Sequence, residues 1–268
     1  MGRMSAWDRL NDELDAWRND GRRAALWCRD DDASRDSPAL RHLLRIADAW
    51  ELPVALAAIP ATMERSLIDA VASSPTVTVV QHGYAHRNHA PAGVRRCELG
   101  AHRPVAETVA ELIAGREVLE REFGERFAPV LVPPWNRIDA DVVLALASAG
   151  FRGISCIGPR TTATLANGVV QSNAHVDLIA WRTNRAFVGT EIAIDRLIGH
   201  LRARRSGDAD AAEPTGLLTH HLDMDDAAWK FVADLVARTR EREAVTWLDT
   251  LAVFDAPDAE AAISDRSA

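Results

Sequence analysis

Three short groups of acids and histidines could do chemistry together: Asp30-Asp31-Asp32, His82-Gly83-Tyr84-Ala85-His86 with Asn88-His89 beyond it, and His220-His221. Adjacent carboxylates repel one another, and a turn needs only one. At a strand end, neighbouring side chains point in different directions, so one carboxylate can hold a metal while the next accepts a proton. Histidines four residues apart share one face of a helical turn, where both imidazoles reach a single ion. Three of the nine histidines fall within residues 82–89, a high density for a polar surface loop. His220 closes the apolar run Leu217-Leu218-Thr219, and an imidazole that titrates near neutrality suits a general acid. A His-His-Asp set with one coordination position open is a catalytic arrangement, because it acidifies a bound water toward a pKa of ~7. With an aspartate to take a proton and a histidine to protonate a leaving amine, the groups suit hydrolysis of an amide or ester. Each group also has a plainer reading as a solvated turn, a polar loop or a pair of loop histidines. Their common placement after expected strands favours a site.

The elements that must position these residues alternate regularly. Ser5 to Asp8 reads as a capping box, and Leu10, Leu14 and Trp17 continue a helical face toward Gly21. Ala24 to Cys28 reads as a buried strand that stops at the charged run Arg29-Asp30-Asp31-Asp32. Ser37-Pro38 opens a helix with Leu40, Leu43, Leu44 and Ala47 inward. Further strands are expected at Val54 to Ile59, Thr76 to Gln81, Val130 to Val132, Arg152 to Ile157, Leu217 to Thr219 and Ala244 to Trp247. Helices are expected at about 61–73, 104–122, 139–149, 190–204 and 225–241, with short strands around Val169-Val170 and Val176 to Ile179. Trp50, Trp229 and Trp247 are expected in the core, Trp135 beside the pocket, and His42 and His200 as structural residues on helices. Seven or eight strand–helix alternations without a break in composition imply one α/β domain, either an open doubly wound sheet or a closed barrel. In both, reactive side chains gather at the C-terminal ends of the strands. No GxGxxG follows the first strand and no GxxxxGK[ST] occurs, which weakens a nucleotide-binding reading.

Composition bounds the partners. The 268 residues carry a net charge of −8, which argues against nucleic acid or anionic lipid as the main partner. No apolar run approaches a membrane span, and the charged start lacks a signal-peptide core, so a cytoplasmic location is expected. Cys28, Cys97 and Cys156 form no CxxC pair, so neither a disulfide framework nor a thiolate zinc site is indicated.

The ordered set of motifs resembles the polysaccharide deacetylases (carbohydrate esterase family 4, the NodB-homology domain), as a divergent intracellular branch. Asp31-Asp32 matches the family's strand ending in Asp-Asp, and His82 with His86 its His-x-x-x-His. Pro133-Pro134-Trp135 matches its Arg-x-Pro segment and Leu218-Thr219-His220 its final Leu-x-His. The match spans about residues 24–247. His175-Val176-Asp177 with Trp181 approximates the Asp/Trp segment, Val132 stands where the family has arginine, and His221 where it often has aspartate.

The resemblance implies a distorted (β/α)7 barrel, TIM-like, over residues 23–255, preceded by a helix at 1–22 and followed by a disordered tail at 256–268. It implies one divalent ion, zinc or else Co2+, Ni2+ or Mn2+, held by Asp32, His82 and His86. Asp31 would be the base, with Asp30 the alternative one position away, and His220 the acid. Arg137, favoured over Arg29, would partner the base. Tyr84, His89, Trp135, Asn136 and His221 would bind substrate, and backbone amides near Tyr84 and Trp135 would face an oxyanion. The expected activity is deacetylation of an N-acetylated sugar or related small amide. The alternatives are a non-catalytic carbohydrate- or protein-binding relative and a metal hydrolase of a cyclic amide or imide. The oligomeric state is left open.

Overall fold

The computed structural model describes residues 4–254. The expected tail at 256–268 lies outside the described residues. In chain order the elements are α1 (Ala6–Asn19), β1 (Ala24–Ala33), α2 (Pro38–Ala49), β2 (Val54–Ala58), α3 (Arg65–Ala72), β3 (Val77–His82) and α4 (Val105–Phe123). There follow β4 (Phe127–Val132), α5 (Ala140–Ala145), β5 (Gly153–Ile154), β6 (Val170–Gln171), β7 (Ala174–Asp177), α6 (Thr190–Ser206), β8 (Thr215–Thr219), α7 (Asp226–Thr239), β9 (Val245–Trp247) and α8 (Thr250–Phe254).

Every ladder is parallel, in the order β6-β5-β4-β3-β2-β1-β8-β7, with β9 on the first residues of β1. Strands covered on both faces read as continuous apolar runs, as Val54–Ala58 does. The two sides of the sheet meet past the end of β5. Ile157 bridges Ala174, the Ala174 amide donates to the Cys156 carbonyl, and the Gly158 amide donates to the Ala174 carbonyl. This one bridge closes β1-β2-β3-β4-β5-β7-β8 into a distorted (β/α)7 barrel, irregular where β5 is short.

The helices lie where their apolar faces require. Leu10, Leu14 and Trp17 of α1 enter the same core as Leu40 and Leu43 of α2 and Leu217 of β8, so α1 belongs to the outer layer of the barrel. Ser5 caps α1 in a box with Asp8, and Ser37 caps α2 ahead of Pro38. Trp229 is buried as expected, but Trp50, the C-cap residue of α2, is 36% exposed. Among the described residues, no helix is long and apolar enough to cross a membrane.

The main departure from the sequence reading is β1. It does not stop at Cys28 but runs on through Arg29, Asp30, Asp31 and Asp32. Arg29 and Asp30 pair with β2 on one side and β8 on the other, so they occupy the centre of the sheet. Charges are tolerated there because each meets a partner on a neighbouring element, described below. The short α8 after β9 was also not expected, and its Phe254 covers Trp27 edge-on.

Candidate active site

The C-terminal ends of β1, β3, β4, β7 and β8 open on a cavity of about 510 Å³ lined by Asp31, Asp32, His82, His86, Trp135, Asp177 and His220, among others. Six non-glycine residues among those described have positive φ: Asp32, Glu51, His86, Trp135, Asn136 and Arg185. All but Glu51 line this cavity. Such backbone costs about 1–3 kcal/mol per residue and persists only where surrounding contacts enforce it, so the strain is concentrated at one place.

Asp32 leaves β1 in the left-handed region (φ 74°), which turns its carboxylate toward the imidazoles. Its Oδ1 lies 3.1 Å from His82 Nε2 and 3.2 Å from His86 Nε2. His82 Nδ1 is 3.0 Å from the Val132 carbonyl, which can only accept, so Nδ1 carries a proton and Nε2 is the nitrogen turned to the cavity. Burial opposes charge on Asp32, yet the bond to His82 and the charges of His82 and His86 hold its carboxyl well below the usual range. Burial lowers the His86 pKa, and its ring packs 4.4 Å from Trp135. Two imidazole nitrogens and one carboxylate oxygen, all within 4.8 Å of one another, fit a divalent transition metal, which would take the place of the proton between His82 and Asp32.

The loop carrying His86 is shaped by Glu98, which the sequence reading did not single out. Its buried carboxylate accepts the backbone amides of Tyr84, Ala85 and Arg87. A Cβ on Gly83 would lie 2.0 Å from Glu98 Oε2 and 2.6 Å from Pro134, so only glycine fits this turn. A signal did exist, since Glu98 is the sole carboxylate between Asp69 and Glu107.

Asp31 sits beside this group and pairs with Arg29. Arg29 Nε lies 2.9 Å from Asp31 Oδ1, and Nη2 donates to Oδ2 at 3.1 Å. Arg29 is held in turn: Nη1 donates to Ser155 Oγ, the Ser155 carbonyl and the Cys156 carbonyl, and Nη2 to Asn136 Oδ1. Across the cavity, His220 Nε2 stands 3.9 Å from Asp31 Oδ2, and its ring meets Trp181 edge-on at 4.6 Å. Trp181 Nε1 donates to Asp177 Oδ2 at 2.8 Å, and burial raises the Asp177 pKa.

No protein-family model and no curated protein matches the chain. Among solved structures, a Mycobacterium smegmatis protein designated provisionally as a polysaccharide deacetylase superposes with a TM-score of 0.59 at 18% identity, over 85% of this chain and 77% of that one. The Bc1960 peptidoglycan N-acetylglucosamine deacetylase superposes at 0.56 and 14% identity, covering 88% and 90% of the two chains. A family 4 acetyl xylan esterase from Clostridium thermocellum, in complex with a cobalt ion, gives 0.51 and 12%, covering 86% and 90%. The chain has the polysaccharide deacetylase fold.

Within the polysaccharide deacetylase fold, the expected site residues divide. Asp31, Asp32, His82, His86, Trp135, Asn136, Arg137 and His220 share one cavity. Four residues stand elsewhere or in other company than expected. Arg137 does not reach Asp31; its Nη1 donates to the Arg96 carbonyl, and Arg29 makes the contact that was assigned to it. The Tyr84 amide donates to Glu98, so it is not free for an oxyanion, and its side chain does not line the cavity. His89 Nε2 faces Arg103, which is held by Glu111, outside the cavity. His221 is buried behind the strands, its Nδ1 at 2.5 Å from Asp30 Oδ1. Asp30 also accepts from Thr219 Oγ1 and the His221 amide, so it is the neighbour turned away from the cavity.

Proposed function

We propose that this chain is a divergent member of the polysaccharide deacetylases, a metal-dependent hydrolase that removes the acetyl group from an N-acetylated sugar or related small amide. The observation that carries this reading is the convergence, in one cavity, of the Asp32–His82–His86 group with the Asp31–Arg29 pair and His220 facing it. A divalent ion held by Asp32, His82 and His86 would act as a Lewis acid, polarising the acyl oxygen and acidifying water at neutral pH.

The chain's own residues supply the rest. Asp31 takes the proton of the attacking water, its carboxylate oriented by the hydrogen bond from Arg29 Nη2 and the ion-pair contact of Nε. His220 delivers a proton to the departing nitrogen from the opposite wall, its ring held by Trp181. The Trp135 amide, on the strained turn after β4, is the remaining backbone donor for the developing oxyanion. The Trp135 ring, which lines the cavity beside His86, gives an apolar wall against which a sugar face can stack.

Val132 at the family's arginine position is the feature that favours a non-catalytic relative. Arg29 answers it, because an arginine from β1 reaches the same carboxylate from within its own strand. Purified protein assayed against acetylated amino sugars and small amides should release acetate. Loss of that activity in His220→Ala, with metal content and fold retained, supports the assigned acid. No acetate from any substrate in the panel, in metal-replete protein, would overturn the reading.

A further inference from the structure

The floor of the cavity is acidic, but its mouth is not. Arg96, Arg137, Arg182 and Arg185 all line the same 510 Å³ space. They come from different walls: Arg96 from the long loop between β3 and α4, Arg137 from the turn after β4, and Arg182 with Arg185 from the loop after β7. Exposed arginines elsewhere divide: Arg41, Arg65 and Arg240 meet carboxylates, whereas Arg45, Arg95 and Arg152 form no ion pair among the described residues. Around the mouth only Arg185 meets a carboxylate, that of Asp223 at 3.0 Å. Arg96, Arg137 and Arg182 form no ion pair among the described residues.

Two of the four are also held in place. Arg137 Nη1 is tied to the Arg96 carbonyl at 2.7 Å, and Arg185 lies over the Trp181 ring at 4.9 Å. That ring also meets the His220 ring edge-on, so one indole touches both this arginine and the assigned acid. A guanidinium presents a planar fork matched to oxyanions, and charges of one sign lining a concave site focus the field on whatever enters.

Building on the deacetylase reading, we infer that the substrate carries an oxyanion, a phosphate or carboxylate, on the part of the molecule that projects to the mouth while the amide lies at the floor. Net acidity then repels anions from the rest of the surface, and the cavity mouth is where they are received.

The test compares N-acetylglucosamine with its 6-phosphate, its 1-phosphate and N-acetylmuramic acid, which bears a carboxylate, on metal-loaded protein. Equilibrium binding and acetate release are measured separately. The anionic ligands should bind at least tenfold more tightly than the neutral sugar, with the gap narrowing as salt is raised. In Arg96→Ala/Arg182→Ala, confirmed to keep its metal, the ratio of anionic to neutral affinity should fall about tenfold. An anion seated on the metal alone would keep its affinity in that variant and lose it on chelation, which contradicts the inference. Equal affinity for neutral and anionic sugars overturns it as well. Tight, arginine-dependent binding without acetate release leaves the anion site standing and overturns the deacetylase reading instead. The phosphate and carboxylate arms show which oxyanion the mouth prefers.

Discussion

Two groups of two histidines and one carboxylate exist among the described residues: Asp32–His82–His86 at the strand ends, and His175–His200–Glu213 beneath α6. By residue type and proximity they are near equivalents. Their proton positions differ. At the first, the Val132 carbonyl fixes a proton on His82 Nδ1, so the neutral ring would offer Nε2 as a lone pair toward the cavity. At the second, His175 Nδ1 accepts the Gly216 amide, so the proton of the neutral ring sits on Nε2, facing Glu213 at 3.4 Å. The first pair of rings is tilted, with centroids 5.1 Å apart, and opens on a cavity; the second is stacked at 3.4 Å and almost fully buried. Buried Arg204 and Arg160 stand near the second group, and a further cation there would meet like charge. Which nitrogen carries the proton, and what surrounds it, separates a metal-competent site from a structural one.

The largest effect should come from the first group. Asp32→Ala or His86→Ala should abolish metal retention and lower kcat/KM by about a thousandfold or more, read by metal analysis and acetate release. His175→Ala should leave the metal in place.

The second group should report on stability. Glu213 is fully buried and accepts the amides of Arg160 and Asn173, so Glu213→Ala should cost about 3 kcal/mol in denaturant unfolding, with metal content unchanged. A Glu213 variant that folds normally but loses metal would erase the distinction between the groups.

Arg29→Ala should lower kcat/KM about a hundredfold with metal retained, and Arg29→Lys less, because one ammonium cannot span both oxygens of Asp31. Asn136→Ala removes one bond to Arg29 and should cost about tenfold or less, near 1 kcal/mol.

The groups should also differ in their response to acid. Burial, then the charges of His175 and Arg204, pushes His200 down to about 2, and burial lowers His175 too. Both are neutral when folded, whereas the unfolded rings take up protons below their ordinary pKa of about 6.5. Stability from these rings is therefore complete above about 6.5 and falls as pH drops below it, by up to about 1.4 kcal/mol per unit per ring. Unfolding followed from pH 7 to pH 5 should show this slope, and His200→Gln should flatten it. An unchanged slope would mean these rings are charged in the fold.

Much of the barrel was legible because its strands are buried runs and its helices carry clear apolar faces and caps. His82, His86 and His220 were legible because they punctuate the ends of such runs. Arg29 was ranked below Arg137 as the partner of Asp31 for the same reason β1 was cut short: four consecutive charges look like a strand end. Residues two apart on a strand share a face, so Arg29 and Asp31 would have been paired had the strand been carried through. The three aspartates could not be apportioned from sequence, since Asp30 is fixed by Thr219 and His221, residues about 190 positions away. The placement of Arg96, Arg182 and Arg185 at the mouth was invisible for a similar reason: it depends on loops with no periodicity.

The central claim is that one of these two groups holds a catalytic ion and the other holds none. Metal analysis of purified wild type, Asp32→Ala/His86→Ala and His175→Ala/His200→Ala, each checked for folding, tests it most directly. About one divalent ion per chain is expected in the wild type and in the His175/His200 variant, and none in the Asp32/His86 variant. Metal that survives in the Asp32/His86 variant, or disappears from a folded His175/His200 variant, would contradict it.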